Sequence, residues 1–268
     1  MREPIKALEE YRKFLETIPL NRYREEFKLI KWVEQDLHPL LFPLESIFEN
    51  YWEKQNYLSF EEWFEKFWVG LQEKEEKKEK LNDLKELVRA HRKFYEDLVN
   101  NNLEDKLFRG FKARMYRTWI SVLTQLDFCY MFQYICAKEG KNLRLECNAE
   151  LDARGIDAQV NEIGFQIAKI SQRKVAQKIL RKTKVILIPY ILGWEIDEAQ
   201  DKLKKSRTRN KERYQKQILA FEKYLLKLPN DFVVFKEDYL KSIIEQINDI
   251  EKVRSVVSKI FLELTGTD

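Results

Sequence analysis

The fold of the second half of this 268-residue chain is decided by Glu150-Leu151-Asp152-Ala153-Arg154-Gly155-Ile156-Asp157-Ala158 and, a few residues later, by Gly164-Phe165-Gln166-Ile167-Ala168-Lys169. Strand-like runs from Ile156 to Asn161 and from Ile163 to Ile170 predict two neighbouring β-strands. Asp152 precedes the first strand, Asp157 lies at its start, and Lys169 lies near the end of the second strand. These two strands are therefore predicted to carry both the sheet and the chemistry of the chain.

Further elements extend the sheet. The apolar run from Val185 to Ile188 is typical of a central strand buried on both faces. The run from Phe232 to Phe235 predicts another buried strand, while Asp197–Leu226 and the residues from Lys236 onward have helical patterns. Residues 141–268 are thus predicted to form an α/β core (α+β mixed) around a small mixed sheet.

The first 140 residues read as largely helical. Prolines punctuate the early part and leave short predicted helices at Ile5–Thr17 and Leu44–Lys54. A longer helix is predicted to begin near Asn102, and a core-facing stripe runs along it: Phe108, Phe111, Met115, Trp119, Val122 and Leu126. No linker separates this portion from residues 141–268, so one continuous domain is the alternative to two.

Composition points to a protein of the cytoplasm. Hydrophobic residues make up 44% of the chain, which is enough for a substantial core. The chain has three cysteines, which is a small and odd number and so does not suit a disulfide framework. A reducing compartment is therefore expected. Residues Met1–Pro4 open no apolar signal region, and no apolar run approaches the ~18 residues of a membrane span.

Positive charge is concentrated in one block. Lys169–Lys216 contains 15 Lys/Arg against 5 Asp/Glu, a local net charge of +10 in a chain whose total is +4. Such a block beside an acidic remainder indicates a site for a polyanion, and a solvated helix face is the alternative. The candidate phosphate contacts are Arg173, Lys174, Lys178, Arg181, Lys182, Lys184, Lys204, Lys205, Arg207, Arg209, Lys211 and Arg213.

The acids and the lysine are predicted to meet across a hairpin. With Glu162-Ile163-Gly164 as a three-residue loop and Gly164 left-handed, Asp157 would face Lys169 on one sheet face, ~5 Å away. A two-residue loop would place them on opposite faces. Asp152 lies outside strict strand alternation, but Gly155 permits a bend that returns it to the site.

This constellation predicts a metal-dependent nuclease. Asp157 and Asp152 would bind Mg²⁺, and Lys169 would orient a water or stabilise charge on the phosphate. The alternative is an ordinary cross-strand salt bridge. Only two histidines and no phosphate-binding glycine loop are present, which disfavours His-based hydrolases and P-loop enzymes.

Several segments in order resemble the TaqI-type family of type II restriction endonucleases, which cut DNA at TCGA. The segments are Ile30–Leu37, Met115–Thr118, Thr124–Tyr130, Leu151–Ala158, Ile188–Tyr190 and Leu228–Phe235. The resemblance covers residues from about 8 to about 245, and therefore much more than the acids and the lysine alone.

The resemblance implies a restriction-endonuclease-like core, a Mg²⁺-dependent cut of double-stranded DNA and a cognate methyltransferase that protects the host. Its catalytic positions match Asp152, Asp157 and Lys169. One of two adjacent basic residues is missing, and Ile167 stands where the family has an acid two residues before the lysine. The sequence leaves open whether the metal ligands are joined by Gln166, Asp127 or Glu150.

The resulting prediction is a site-specific endodeoxyribonuclease that acts as a homodimer, because a palindromic site matches a two-fold protein. The basic block would contact DNA phosphates, with some arginine reading guanine. Two alternatives remain: a repair or defence nuclease of the same fold without a fixed site, and a DNA-binding protein whose catalysis has decayed.

Overall fold

The computed structural model describes residues 3–23, 25–26, 41–76, 104–170 and 184–266. The chain divides into two compact units, one comprising Met1–Leu20 and Thr124–Asp268 and the other Asn21–Leu123. The division predicted at residue 140 stays a prediction. Both predicted halves have the expected secondary structure, so the α/β fold class with a small mixed sheet and a helical N-terminal part is confirmed.

The first unit contains the sheet. In chain order its elements are α1 (Pro4–Glu16), the second part of α4 (Glu104–Lys138), β1 (Leu145–Glu146), α5 (Ala149–Ala153), β2 (Ala158–Val160), β3 (Ile163–Lys169), β4 (Val185–Tyr190), α6 (Gly193–Lys205), α7 (Thr208–Tyr224), β5 (Leu225–Lys227), β6 (Val233–Phe235), α8 (Glu237–Ile244) and α9 (Ile250–Thr265). The predicted helix over 197–226 is interrupted at Ser206 and Arg207, and the predicted closing helix is interrupted before Asp249, whose carboxylate caps α9.

The main sheet has the strand order β1-β2-β3-β4. Strands β1, β2 and β3 are antiparallel neighbours, whereas β3 and β4 run parallel, with Lys169 opposite Tyr190 at their carboxyl ends. A parallel pair ends at one edge of the sheet, so the end of β3 and the start of α6 lie at the same edge. Strands β5 and β6 form a separate antiparallel pair.

The β2–β3 hairpin differs from the prediction. Val160 pairs with Ile163, so the loop has two residues, and Asn161 takes the left-handed conformation (φ 53°) that was expected of Gly164. Gly164 is required for packing instead, because a Cβ there would lie 3.1 Å from Val185. The predicted three-residue loop is wrong, and so is the pairing of Asp157 with Lys169. Ala158 pairs with Phe165, so the same register continued by one residue sets Asp157 against Gln166 and leaves Lys169 on the other face of β3.

Aromatic side chains join the elements of the first unit. The Phe128 ring on α4 lies 5.6 Å from Phe165 on β3 and 5.6 Å from Phe235 on β6. Phe235 in turn contacts Tyr190 on β4 and Tyr239 on α8. Because buried aromatic rings contribute large apolar areas, this cluster fixes α4 against the sheet.

The second unit is helical where it is described. It contains α2 (Leu41–Phe48) with a π-helical continuation at Glu49–Glu53, α3 (Phe60–Glu76) and the first part of α4. The Phe60 ring packs 4.8 Å from Tyr116 and 5.5 Å from Trp119. Met115, Trp119, Val122 and Leu126 of the predicted stripe along α4 are buried, as expected.

Candidate active site

Asp152 lies on the short helix α5, which is defined at both ends. Asn148 caps its start by accepting a hydrogen bond from the Leu151 N–H (2.9 Å). At its end the N–H of Ile156 binds the carbonyl of Leu151 and the N–H of Gly155 binds the carbonyl of Asp152, with Gly155 left-handed (φ 76°). This Schellman arrangement reverses the chain, so it leads from Asp152 directly to β2.

Asp157 interrupts the ladder between β2 and β3. A regular hairpin would next pair the backbones of Ile156 and Ile167, but the N–H of Ile156 is already bonded to α5. The Ile167 N–H is bonded instead to the Asp157 carboxylate (N to Oδ2, 2.5 Å). The side chain of Asp157 therefore replaces a backbone acceptor and is held rigidly, 4% exposed.

The two acids form one pair, in which Asp157 is buried and Asp152 is half-buried with its Oδ2 enclosed. Burial raises the pKa of Asp152 to about 6, and a hydrogen bond from Gln125 opposes that rise. Burial also raises the pKa of Asp157 well above its ordinary value, and the neighbouring charge of Asp152 raises it further. Gln125 on α4 donates from Nε2 to Asp157 Oδ1 (2.9 Å), so one amide contacts both carboxyls. The bend predicted at Gly155 is present (φ 76°), and it brings Asp152 close enough to Asp157 for their charges to interact.

The pair has the character of a site for a hard cation. Asp152 Oδ2 and Gln125 Oε1 are buried and have no hydrogen-bond partner. Buried polar atoms are normally satisfied, and Mg²⁺ binds carboxylate and carbonyl oxygens. Over the part of the chain that is described, no group of three or more His, Cys, Asp or Glu is arranged as a metal site. A cation at the pair would therefore draw its other oxygens from an amide, from water or from DNA.

Lys169 lies at the end of β3, half-buried and opposite Tyr190. Its positive charge acts on Glu195, at the start of α6, and lowers the pKa of that carboxyl against the larger raising effect of burial. The carboxylate of Glu195 also accepts a hydrogen bond from the Leu192 N–H (2.6 Å). The structure thus brings Asp152 and Asp157 together, and it places Lys169 beside Glu195.

Three further residues that the sequence left open have distinct positions. Asp127 is fully buried and bound by Arg12 (Nε to Oδ1, 2.9 Å) and by the Phe235 N–H (2.8 Å), so its oxygens have partners. Glu150 is exposed in the first turn of α5. The Gln166 amide lies against Gly155, where a Cβ would be 3.4 Å from Nε2. Gln125 was missed because it lies on a helix remote in sequence.

The basic block is described only in part. Arg173, Lys174, Lys178, Arg181 and Lys182 lie outside the described residues, as does the side chain of Arg209. Lys184, Lys204, Lys205, Arg207, Lys211 and Arg213 are exposed. Arg213 donates to the carbonyl of Thr265 at the end of α9 (3.3 Å), so it also has a structural contact. Lys184 pairs with Glu162.

None of the helices in the described part of the chain combines the length and apolar character that a membrane crossing requires.

Comparison with known proteins identifies the family of the chain. The family model for the TaqI restriction endonuclease matches residues 8–247. Type II restriction enzyme TaqI of Thermus aquaticus is 36% identical over 253 residues, which are 89% of this chain and 87% of the relative. Type II restriction enzyme TthHB8I of Thermus thermophilus is 33% identical over the same shares. No solved structure matches significantly. The chain belongs to the TaqI restriction endonuclease family, as its sequence segments predicted.

Proposed function

We propose that this protein is a Mg²⁺-dependent endodeoxyribonuclease that hydrolyses phosphodiester bonds of duplex DNA at TCGA within a restriction-modification system. Family membership supports the restriction endonuclease class. The observation that carries the metal-dependent mechanism is the Asp152–Asp157 pair, whose hydrogen-bond donors are the neutral Gln125 amide and the Ile167 N–H and which retains an unpaired oxygen.

In this mechanism Asp152 and Asp157 hold the cation. When bound, Mg²⁺ supplies a Lewis acid for the scissile phosphate and lowers the pKa of a coordinated water. The Ile167 N–H and Gln125 keep the Asp157 carboxylate in one orientation, which reduces the reorganisation required during the reaction. Burial of Asp157 removes its carboxylate from bulk water, which strengthens its electrostatic effect on a bound cation.

Lys169 is assigned to the phosphate. Its ammonium carries a positive charge at the carboxyl edge of β3 and β4, where it stabilises the charge that develops on the phosphate or orients the attacking water. Glu195 attracts this ammonium in the DNA-free protein. An incoming phosphate would compete with Glu195 for the same charge.

The basic block is assigned to phosphate contacts on the DNA backbone, which contribute affinity and register but little sequence information. A homodimer fits a palindromic four-base site, since a two-fold protein presents two equivalent active sites to two equivalent strands. A cognate methyltransferase would protect the host DNA, and the cytoplasm is the compartment in which these partners meet.

The test combines cleavage with binding. Unmethylated plasmid is incubated with the protein and Mg²⁺, alongside Asp157→Asn and the control Asp238→Asn, which changes an exposed acid on α8. We expect fragments whose ends map to TCGA with the wild type and with the control, and none with Asp157→Asn. DNA binding in Ca²⁺ should survive in all three proteins.

The alternatives give different results in the same experiment. Discrete fragments with other ends would show that the recognition sequence is not TCGA, while the metal-dependent mechanism would still be supported. Cleavage without fixed ends would favour a repair or defence nuclease. Wild-type protein that binds DNA but cuts it neither with Mg²⁺ nor with Mn²⁺ would reject the enzyme and leave a DNA-binding protein.

A further inference from the structure

Gln125 is the residue that connects the two acids of the candidate site. It lies on α4, 8% exposed, and its side chain contacts both carboxyls. Its Nε2 donates a hydrogen bond to Asp157 Oδ1 (2.9 Å), and its side chain also hydrogen-bonds to Asp152. Its Oε1 is buried without a partner, as is Asp152 Oδ2. Two unsatisfied oxygens within one contact network indicate a missing electropositive ligand.

The neutrality of Gln125 is informative because another buried acid of this unit, Asp127 on α4, has a cationic partner, Arg12 on α1. Asp127, two residues further along α4, is equally buried, but it is neutralised by Arg12. Burying an acid beside an arginine removes its charge from further use, whereas an amide orients carboxylates without neutralising them. No basic side chain of the described residues is paired with Asp152 or Asp157, so the oxygens of both carboxyls remain available to a divalent cation.

We propose that Gln125 is a positioning residue and an oxygen ligand of the cation site, holding Asp152 and Asp157 through its amide nitrogen and contributing Oε1 to the bound metal. The inference rests on the proposed metal-dependent function, to which it adds one residue from a helix. The set of two carboxylates and one amide oxygen is an all-oxygen set, which suits Mg²⁺ or Mn²⁺ rather than a thiophilic metal.

The test measures Mn²⁺ binding to the full chain without DNA, by electron paramagnetic resonance of free Mn²⁺. Two substitutions separate the roles. Gln125→Met keeps the length and apolar volume of the side chain but removes the oxygen and the N–H donors. Gln125→Glu keeps an oxygen at the same position, adds a third buried acid and removes the donors. The same two substitutions at Gln133, which is half-buried two turns further along α4, serve as controls.

A ligand role and a packing role of Gln125 predict opposite orders of Mn²⁺ affinity for the Gln125→Met and Gln125→Glu variants. If Gln125 is a ligand, Gln125→Met weakens Mn²⁺ binding by about 10- to 100-fold, and Gln125→Glu restores it. If Gln125 only fills space, Gln125→Met is the milder change and binds Mn²⁺ like the wild type, which would overturn the proposal. Both Gln133 variants should bind Mn²⁺ as the wild type does.

Two further outcomes distinguish this inference from the proposed function. A wild-type protein that binds no Mn²⁺ would reject the cation site itself, and with it the role of Gln125. Unchanged Mn²⁺ binding in a folded Gln125→Met protein, together with loss in Asp157→Asn, would reject Gln125 as a ligand and keep the carboxylate pair. Circular dichroism of each variant identifies any that fails to fold, and for such a variant Gln125→Asn is measured instead, with loss of binding expected because its amide is one methylene shorter.

Discussion

Replacing Asp152 with asparagine should stabilise the metal-free protein while abolishing cleavage. Burial raises the pKa of this carboxyl from its ordinary 3.8 to about 6. The difference between these values corresponds to about 3 kcal/mol by which folding disfavours the ionised form. Asparagine has nearly the same shape and carries no charge, so it removes this cost. An active site that is strained for its function is expected to respond in this way.

The sign of the pH dependence follows from the raised pKa. At a pH below about 4 the carboxyl is protonated in both the folded and the unfolded state, so it contributes no penalty. As the pH rises from about 4 to about 6, the unfolded state ionises before the folded state, and the wild type loses stability relative to Asp152→Asn. Above about pH 6 the penalty is complete. The pKa of Asp157, which Asp152 helps to raise, should fall in the variant.

The assay is urea unfolding of both proteins in EDTA at a pH near 4 and a pH near 7.5. We expect nearly equal unfolding free energies at the lower pH and an advantage of about 3 kcal/mol for Asp152→Asn at the higher pH. Adding Ca²⁺ at the higher pH should stabilise the wild type and not the variant, because only the wild type retains both carboxylates. A difference that is the same at both pH values would refute the reasoning, since it would show that the acid is not buried in its ionised form.

Three further changes test the structure around the site. Gly155→Ala should lower the unfolding free energy by about 1–2 kcal/mol, because it forces a left-handed conformation on alanine; a thermal melt measures this, and an unchanged melt would contradict the observed turn. Asp127→Ala should lower the unfolding free energy by about 2–4 kcal/mol, because Arg12 and the Phe235 N–H both lose the carboxylate that they bind, with cation affinity retained in the folded fraction; calorimetry with Mn²⁺ would expose any direct role in metal binding. Lys205→Ala and Arg207→Ala should each reduce the slope of log K against log salt for DNA binding by about 1; equal slopes in wild type and variants would remove these residues from the phosphate contacts.

Much of the fold could be predicted from local patterns. The apolar run at Val185–Ile188 is a largely buried strand, as predicted, but it is the last strand in the order of the described sheet and not a central one. The stripe through Trp119 and Leu126 on α4 faces the core. These predictions succeed because burial imposes a period on the sequence that is visible without any tertiary information. The positions at which helices are interrupted, such as Ser206, carry no comparable pattern.

The hairpin register could not be predicted, for a physical reason. Both Asn161 and Gly164 tolerate a left-handed conformation, so turn chemistry alone permits a loop at either position. The choice depends on Gly164 lying so close to Val185 and Ile156 that a Cβ would meet both at 3.1–3.2 Å. That requirement arises from packing between strands, which a single sequence does not display.

The two acids of the candidate site could be predicted from the sequence, but the glutamine that contacts them could not. Asp152 and Asp157 are close in sequence, and the glycine between them signals the bend that brings them together. Gln125 carried a weaker signal, as a polar residue within a buried stretch of helix between Leu123 and Leu126. Such a residue needs a partner, but the sequence does not say which.

Helix α4 contacts different partners on two of its faces. Residues two positions apart on a helix point in nearly opposite directions, so Asp127 and Gln125 face different surroundings. Asp127 binds Arg12 and the backbone of Phe235, which fixes the helix to α1 and β6 and leaves no charge unpaired. Gln125 faces the carboxylate pair and holds it without neutralising it. An acid that serves only stability is best paired permanently, whereas an acid that serves a cation must remain available. Because one helix carries both arrangements, we expect the ion pair on one face to help to hold the amide on the other face against the two acids.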